Sequence, residues 1–124
     1  MHIGVVEDNP PLRAMVETAL KLHGHIVETY RDVPSFLSAF QRAECTPPYD
    51  LVIIDLFLDR QSGTDIVEAL RGAPPRAVPV ILISAAAEST LAPLRKRYPH
   101  VPILQKPFKM QELVSLINEI TSSI

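Results

Sequence analysis

The stretch that decides the fold is LVIID, residues 51–55, in which four apolar residues run into an acid. A strand that is apolar on both faces is typical of the interior of a parallel sheet, where helices cover each side. The stretch VPVILIS, residues 78–84, repeats the pattern and ends in a hydroxyl residue, Ser84. Both stretches therefore predict central strands.

Similar patterns alternate along the rest of the chain. Three shorter apolar runs predict strands at residues 2–7, 25–30 and 101–105, and the polar character of the second suggests a sheet edge. Apolar residues at helical spacing predict helices between Asn9 and Gly24, over 33–43, over 64–70, from about Thr90 to 98, and from about Lys109. Five strands alternating with helices predict an α/β fold: a doubly wound, flavodoxin-like, five-stranded parallel sheet with helices on both faces.

Two of these helices carry further expectations. The first should bury one face, formed by Leu12, Met15, Val16, Ala19 and Leu20. In the fourth, Pro93 should exclude an unbroken helix from Glu88, because proline lacks the N–H that a helix interior needs. We therefore expect that helix to start near Thr90, with Pro93 in its first turn.

Composition narrows the class of protein. The chain has 124 residues, 47% of them apolar and 21% charged, which predicts one soluble domain over residues 1–124. A net charge of −2 favours neither a nucleic-acid nor a membrane surface. The single cysteine, Cys45, excludes an internal disulfide, and the absence of a signal-like start or a membrane-length apolar run predicts a cytoplasmic protein.

Polar residues follow four of the predicted strands, in a fold whose ligands bind at the carboxyl ends of strands. These residues are the pair Glu7-Asp8, then Asp55, Ser84 and Lys106. Three crowded carboxylates require a compensating cation, and oxygen ligands without histidine or cysteine suit Mg²⁺. With a lysine and a hydroxyl beside them, the set suits acceptance of a phosphoryl group by Asp55 as nucleophile.

In these positions the chain resembles the receiver domain of two-component response regulators over essentially its whole length. The matching motifs are Glu7-Asp8, Asp55, Gly63, Ser84-Ala85 and Lys106-Pro107-Phe108. The resemblance implies strand order 2-1-3-4-5, a cis Lys106-Pro107 bond, and phosphorylation of Asp55 by a sensor histidine kinase or histidine phosphotransfer protein. It also implies an output domain or a homodimer partner as the receiver of the signal, and we expect residues 1–124 to be a single receiver domain with no output domain in this chain.

The resemblance further implies roles for the other site residues. Mg²⁺ would be held by the side chains of Asp8 and Asp55 and the backbone carbonyl of Phe57, with Glu7 acting through water. Lys106 would contact the phosphoryl group, and Ser84 would move toward it as a switch.

Three positions depart from the family's pattern. Ile103 replaces the aromatic residue that often precedes the lysine by three, Asp59 replaces a frequent proline, and Pro93 lies in a helix that commonly belongs to the output surface. We therefore expect a switch without a moving ring at residue 103 and a looser segment over 84–98. The role of Asp59 is open.

Other classes of function are weighed against the same residues. A Mg²⁺-dependent aspartyl-phosphate phosphatase or phosphotransferase of the haloacid dehalogenase type would need an acid at Phe57. A flavin- or nucleotide-binding protein would need a glycine-rich loop after the first strand, which has EDNPPLR instead. A degenerate receiver serving as a binding scaffold is disfavoured because all five site residues are present. We expect the domain to catalyse only its own phosphorylation and dephosphorylation.

Overall fold

The computed structural model describes residues 1–41, 49–58, 61–62, 67–68 and 78–122. The strands in this part of the chain are β1 (His2–Val6), β2 (Ile26–Tyr30), β3 (Leu51–Asp55), β4 (Phe57–Leu58), β5 (Gln61–Ser62), β6 (Val80–Ser84) and β7 (Ile103–Gln105). The helices are α1 (Pro10–Leu22), α2 (Val33–Gln41), α3 (Glu88–Arg97) and α4 (Met110–Ser122).

The strands form a five-stranded parallel sheet in the order β2-β1-β3-β6-β7, while β4 and β5 pair antiparallel with each other. Counting only the five parallel strands, this is the order 2-1-3-4-5, which confirms the predicted fold. The order reverses at β1, which pairs with both β2 and β3. Ligands of such sheets bind where the order reverses, at the carboxyl ends of the strands.

The sheet is covered on both faces, as predicted. On one face Val52, Ile54 and Leu82 pack with Phe36 of α2 and Leu91 of α3. On the other, the apolar strand residues pack with the buried sides of α1 and α4, in a cluster that includes Ile3, Val5, Ile53, Ile81, Val16, Leu20, Leu113 and Ile117. Every residue of β3 is buried, so helices on both sides hold its last residue in place.

Helix α1 has the predicted ends but buries a narrower face than expected. The side chain of Asn9 accepts a hydrogen bond from the Leu12 amide at 3.0 Å, and Gly24 follows the helix with φ +87°. Val16 and Leu20 are fully buried, whereas Met15 is 57% exposed, so its predicted burial is wrong. Leu12, Val16 and Leu20, each about one helical turn apart, pack into the core cluster. Met15 precedes Val16 and lies to one side of this row, where it is exposed to solvent.

Helix α3 begins at Glu88, so the predicted start near Thr90 is wrong. Pro93 lies inside the helix, where it removes one backbone hydrogen bond. Tertiary contacts offset that loss, because Leu91 is fully buried and Tyr98, which caps the helix, is only 2% exposed. Arg95 also bridges back to the carboxylate of Glu88 at 2.8 and 3.2 Å.

Several predictions fall outside the described residues. They concern Asp59, Gly63, Cys45 and most of the helix predicted over 64–70. Of that helix, Val67 and Glu68 are described; both are helical, and Val67 is fully buried. In the described part of the chain, no helix combines the length and apolar character that a membrane crossing requires.

Candidate functional site

Three carboxylates meet at the sheet edge where β1 and β3 end. Glu7 and Asp8 follow β1, and Asp55 is the last residue of β3. One oxygen of each lies within 4.8 Å of the others. Glu7 is fully buried and Asp55 is 6% exposed, while Asp8 is more open to solvent. The convergence predicted from the strand ends is therefore present in the structure.

The pairing of the strands explains why Lys106 joins this cluster. Asp55 lies opposite Ile83 of β6, and Ile83 lies opposite Leu104 of β7. Because side chains alternate between the faces of a sheet, Lys106, two residues after Leu104, falls on the same face as Asp55. Its Nζ is 2.9 Å from Asp55 Oδ2 and 3.2 Å from Glu7 Oε2.

The ammonium of Lys106 is held in its charged form by these neighbours. Burial lowers its pKa, but the hydrogen bond and charge of Asp55, together with the charge of Glu7, outweigh burial and raise the pKa above its ordinary value. The backbone is fixed as well, because the Lys106 amide donates to the Ser84 carbonyl at 2.7 Å. The Lys106–Pro107 peptide bond is cis, as the resemblance implied.

Glu7 is the most constrained acid of the cluster. Its amide donates to the Tyr30 carbonyl at 2.9 Å, and its Oε1 accepts from the Asn9 amide at 3.1 Å. Among the described residues its buried Oε2 has no well-aligned hydrogen bond, although Lys106 Nζ is near. Burial raises the pKa of Glu7 from 4.5 to about 7; the Asn9 amide opposes this rise and the charge of Asp55 adds to it.

This raised pKa predicts a pH-dependent stability of the metal-free protein. The folded state binds the Glu7 proton more tightly than the unfolded chain, so the stabilisation is complete below the unfolded pKa of 4.5 and is lost as pH rises through about 7. Relative to Glu7→Gln, we expect the native free energy of unfolding to fall by about 2 to 3 kcal/mol between about pH 4.5 and about pH 8.

Urea unfolding of both proteins in a chelator, at several pH values, measures this difference. The matched control is Glu17→Gln, which removes an acid on the surface of α1, and it should show no comparable pH trend. Parallel pH profiles for the native protein and Glu7→Gln would contradict the prediction.

Two further side chains hold the site's backbone, and sequence reasoning missed both. Arg13 Nη1 donates to the carbonyl of Glu7 at 2.9 Å, which ties the acidic turn to the first turns of α1. Gln105 Nε2 donates to the carbonyl of Ala86 at 2.9 Å. The sequence shows a polar residue, Gln105, directly before Lys106, which could have suggested a role at the site. Its contact with Ala86 could not be predicted, because it depends on how β6 and β7 are aligned.

Ser84 is next to the cluster but is oriented differently. It is fully buried, and its Oγ accepts a hydrogen bond from the Ala86 amide at 3.0 Å. It follows Ile83, the residue opposite Asp55, so alternation places its side chain on the other face of the sheet. The structure thus brings Glu7, Asp8, Asp55 and Lys106 together and keeps the Ser84 hydroxyl bonded within its own turn.

The donors present fit Mg²⁺. The cluster consists of carboxylate oxygens, and none of the four histidines, all within the described residues, belongs to it. The buried Glu7 Oε2 without a well-aligned hydrogen bond is the kind of atom that a cation or its water shell would satisfy. Phe57 opens β4 two residues after Asp55, and the role of its carbonyl as a ligand stays a prediction.

Comparison with known proteins decides the family. The family model described as response regulator receiver domain matches residues 3–118. The chain belongs to that family. It is a receiver domain of two-component signalling. This match confirms the resemblance inferred from the acidic pair, Asp55, Ser84-Ala85 and the Lys106 triplet.

Individual relatives agree with this assignment. The probable transcriptional regulatory protein TcrX of Mycobacterium tuberculosis is 34% identical over 112 residues, which are 89% of this receiver and 45% of that protein. The DNA-binding response regulator MtrA of Mycolicibacterium smegmatis is 30% identical over 116 residues, 94% of this chain and 48% of its own. The receiver therefore spans about half the length of these relatives.

Solved structures show the same fold. The chemotaxis response regulator CheY4 of Vibrio cholerae superposes with a TM-score of 0.80 at 23% identity, over 96% of this chain and 97% of its own. At that identity the likeness concerns the fold alone.

Proposed function

We propose that this receiver accepts a phosphoryl group on Asp55 from a phosphohistidine of a sensor histidine kinase or phosphotransfer protein. Phosphorylation then changes the surface of the domain for an output domain or a partner such as a second copy. The observation that carries this proposal is the contact between Lys106 Nζ and Asp55 Oδ2 at 2.9 Å, beside two further carboxylates. This contact supports the proposal because it holds a cation beside the proposed nucleophile.

In the transfer, a carboxylate oxygen of Asp55 attacks phosphorus as the bond from phosphorus to the imidazole nitrogen breaks. The electron pair of that bond stays on the imidazole, and the product is an acyl phosphate on Asp55. Buried β3 keeps the nucleophile in position, and Lys106 neutralises negative charge on the phosphoryl oxygens. Bound by Asp8, Asp55 and the Phe57 carbonyl, with Glu7 acting through water, Mg²⁺ would supply further neutralisation of those oxygens.

In this proposal the domain catalyses only its own phosphorylation and dephosphorylation. Water hydrolyses the acyl phosphate and regenerates the Asp55 carboxylate, so the domain acts as a switch rather than as an enzyme on other molecules. Because the proposed donor kinase uses ATP, a cytoplasmic location of the receiver is part of the proposal. The names of TcrX and MtrA, as transcriptional or DNA-binding regulators, favour a DNA-binding output domain as the partner. In this proposal the receiver itself contacts neither nucleic acid nor membrane.

Incubation with a small phosphodonor such as acetyl phosphate tests the reaction without a cognate kinase. We expect a base-labile phosphoryl adduct on the native protein in Mg²⁺, and loss of the adduct in a chelator and in Asp55→Asn. Asp50→Asn changes an exposed acid directly before the same strand and should be phosphorylated like the native protein. Absence of an adduct on the native protein, or equal adduct on Asp55→Asn, would contradict the proposal.

A further inference from the structure

Gln105 is the last residue of β7 and lies directly opposite Ser84 of β6. Its side chain crosses to the turn that follows Ser84, where Nε2 donates to the Ala86 carbonyl at 2.9 Å. Gln105 is exposed to solvent, so packing in the core does not fix the orientation of its side chain. The contact joins the strand that carries Lys106 to the turn that carries the Ser84 hydroxyl.

This turn is held by three hydrogen bonds. The Ala86 amide donates to Ser84 Oγ at 3.0 Å, the Lys106 amide donates to the Ser84 carbonyl at 2.7 Å, and Gln105 holds the Ala86 carbonyl. Directly beyond the turn, Ala87 caps α3 without any side-chain hydrogen bond. The second bond joins two backbone groups, and the first uses the Ser84 hydroxyl, which is itself the proposed switch. The bond from Gln105 can be removed by a side-chain substitution that leaves both Ser84 and the cluster unchanged.

The orientation of Ser84 gives this bond a consequence for switching. Ser84 and Asp55 lie on opposite faces of the sheet, because Asp55 is level with Ile83. The Ser84 hydroxyl can therefore reach a phosphoryl group on Asp55 only if the strand end and the turn after it rearrange. Because Ala86 belongs to that turn, such a rearrangement would move its carbonyl and break the bond from Gln105.

We propose that Gln105 is a positioning residue that holds the Ser84 turn in its resting arrangement and so opposes the switch. The inference rests on the proposed phosphorylation of Asp55. Residue 103 is a buried isoleucine, so no aromatic ring at this position can couple β7 to the Ser84 turn. The hydrogen bond from Gln105 to Ala86 provides that coupling instead. Removing the bond favours the rearranged state, and a ligand that needs that state then binds more tightly.

The test uses Gln105→Met, which keeps the length of the side chain and removes the donor, and Gln105→Lys, which keeps a donor. Gln111→Met, on the exposed side of α4, is the matched control. In metal-free protein without a phosphoryl group, we expect exchange of the Ala86 amide hydrogen, measured by NMR, to be about two- to tenfold faster in Gln105→Met. Beryllofluoride with Mg²⁺, a mimic of the phosphoryl group, should bind about two- to tenfold more tightly.

Faster Ala86 exchange together with tighter binding of beryllofluoride distinguishes a positioning role of Gln105 from a role in the stability of the fold alone. Gln105→Lys and Gln111→Met should behave like the native protein, and the urea midpoint of Gln105→Met should not rise. Unchanged Ala86 exchange would overturn the inference, as would weaker binding of the mimic together with a lower midpoint. If beryllofluoride fails to bind even the native protein, the proposed function is wrong, and the exchange rates alone then decide whether Gln105 holds the turn.

Discussion

Replacing Lys106 by Met is expected to slow phosphorylation of Asp55 by about 100- to 1000-fold, the usual loss when one preorganised charge or donor at a transition state is removed. Lys106 is the cation that contacts both buried acids, with Nζ at 2.9 Å from Asp55 and 3.2 Å from Glu7. Methionine preserves most of the side chain's volume and removes its charge. The rate of adduct formation from acetyl phosphate in Mg²⁺ measures the effect.

The matched control is Lys109→Met, because Lys109 is an exposed lysine three residues further along the chain. It changes the net charge by the same amount and should leave the rate within about twofold of the native value, since exposed charges interact weakly. Equal losses in the two variants would assign the effect to net charge and contradict the proposed role of Lys106.

Replacing Ile53 by Ala is expected to lower the free energy of unfolding by about 2 to 5 kcal/mol, because it removes buried methyl groups and leaves a cavity. Ile53 is fully buried in the middle of β3, in the cluster that α1 and α4 cover. Urea unfolding, with the slope held common to both proteins, measures the loss.

The chain offers a control of the same residue type at the edge of the same sheet. Ile26 opens β2 and is 67% exposed, so Ile26→Ala should change stability by about 0.5 kcal/mol or less. Similar losses for the two variants would show that β3 is not the packed centre of the sheet.

The sequence predicted the sheet and the acidic cluster for identifiable physical reasons. Runs such as 51–54 are apolar on both faces only where helices cover both sides of a parallel sheet. Once the strands were assigned, the proximity of Glu7, Asp55 and Lys106 could be predicted, because the carboxyl ends of parallel strands lie at the same edge of a sheet. Local signals also predicted the start of α1 at Asn9, whose side chain accepts a hydrogen bond from the Leu12 amide.

The remaining features depend on tertiary packing and strand alignment, which local patterns do not encode. Pro93 is tolerated inside α3 because the burial of Leu91 and Tyr98 offsets the lost backbone hydrogen bond. Ser84 was expected beside the acids, yet the alignment of β3 with β6 turns its side chain to the other face. The contact of Gln105 with Ala86 likewise follows from the pairing of β6 with β7.

The central claim is that the phosphoryl group is carried by Asp55 and by no other acid. Borohydride reduces an acyl phosphate of aspartate to homoserine, so reduction of the phosphorylated protein followed by peptide mass mapping identifies the residue that carried the group. We predict homoserine at position 55, only when both phosphodonor and Mg²⁺ are present. Homoserine at position 8, 50 or 59, or a base-labile adduct that leaves residue 55 unreduced, would contradict the account.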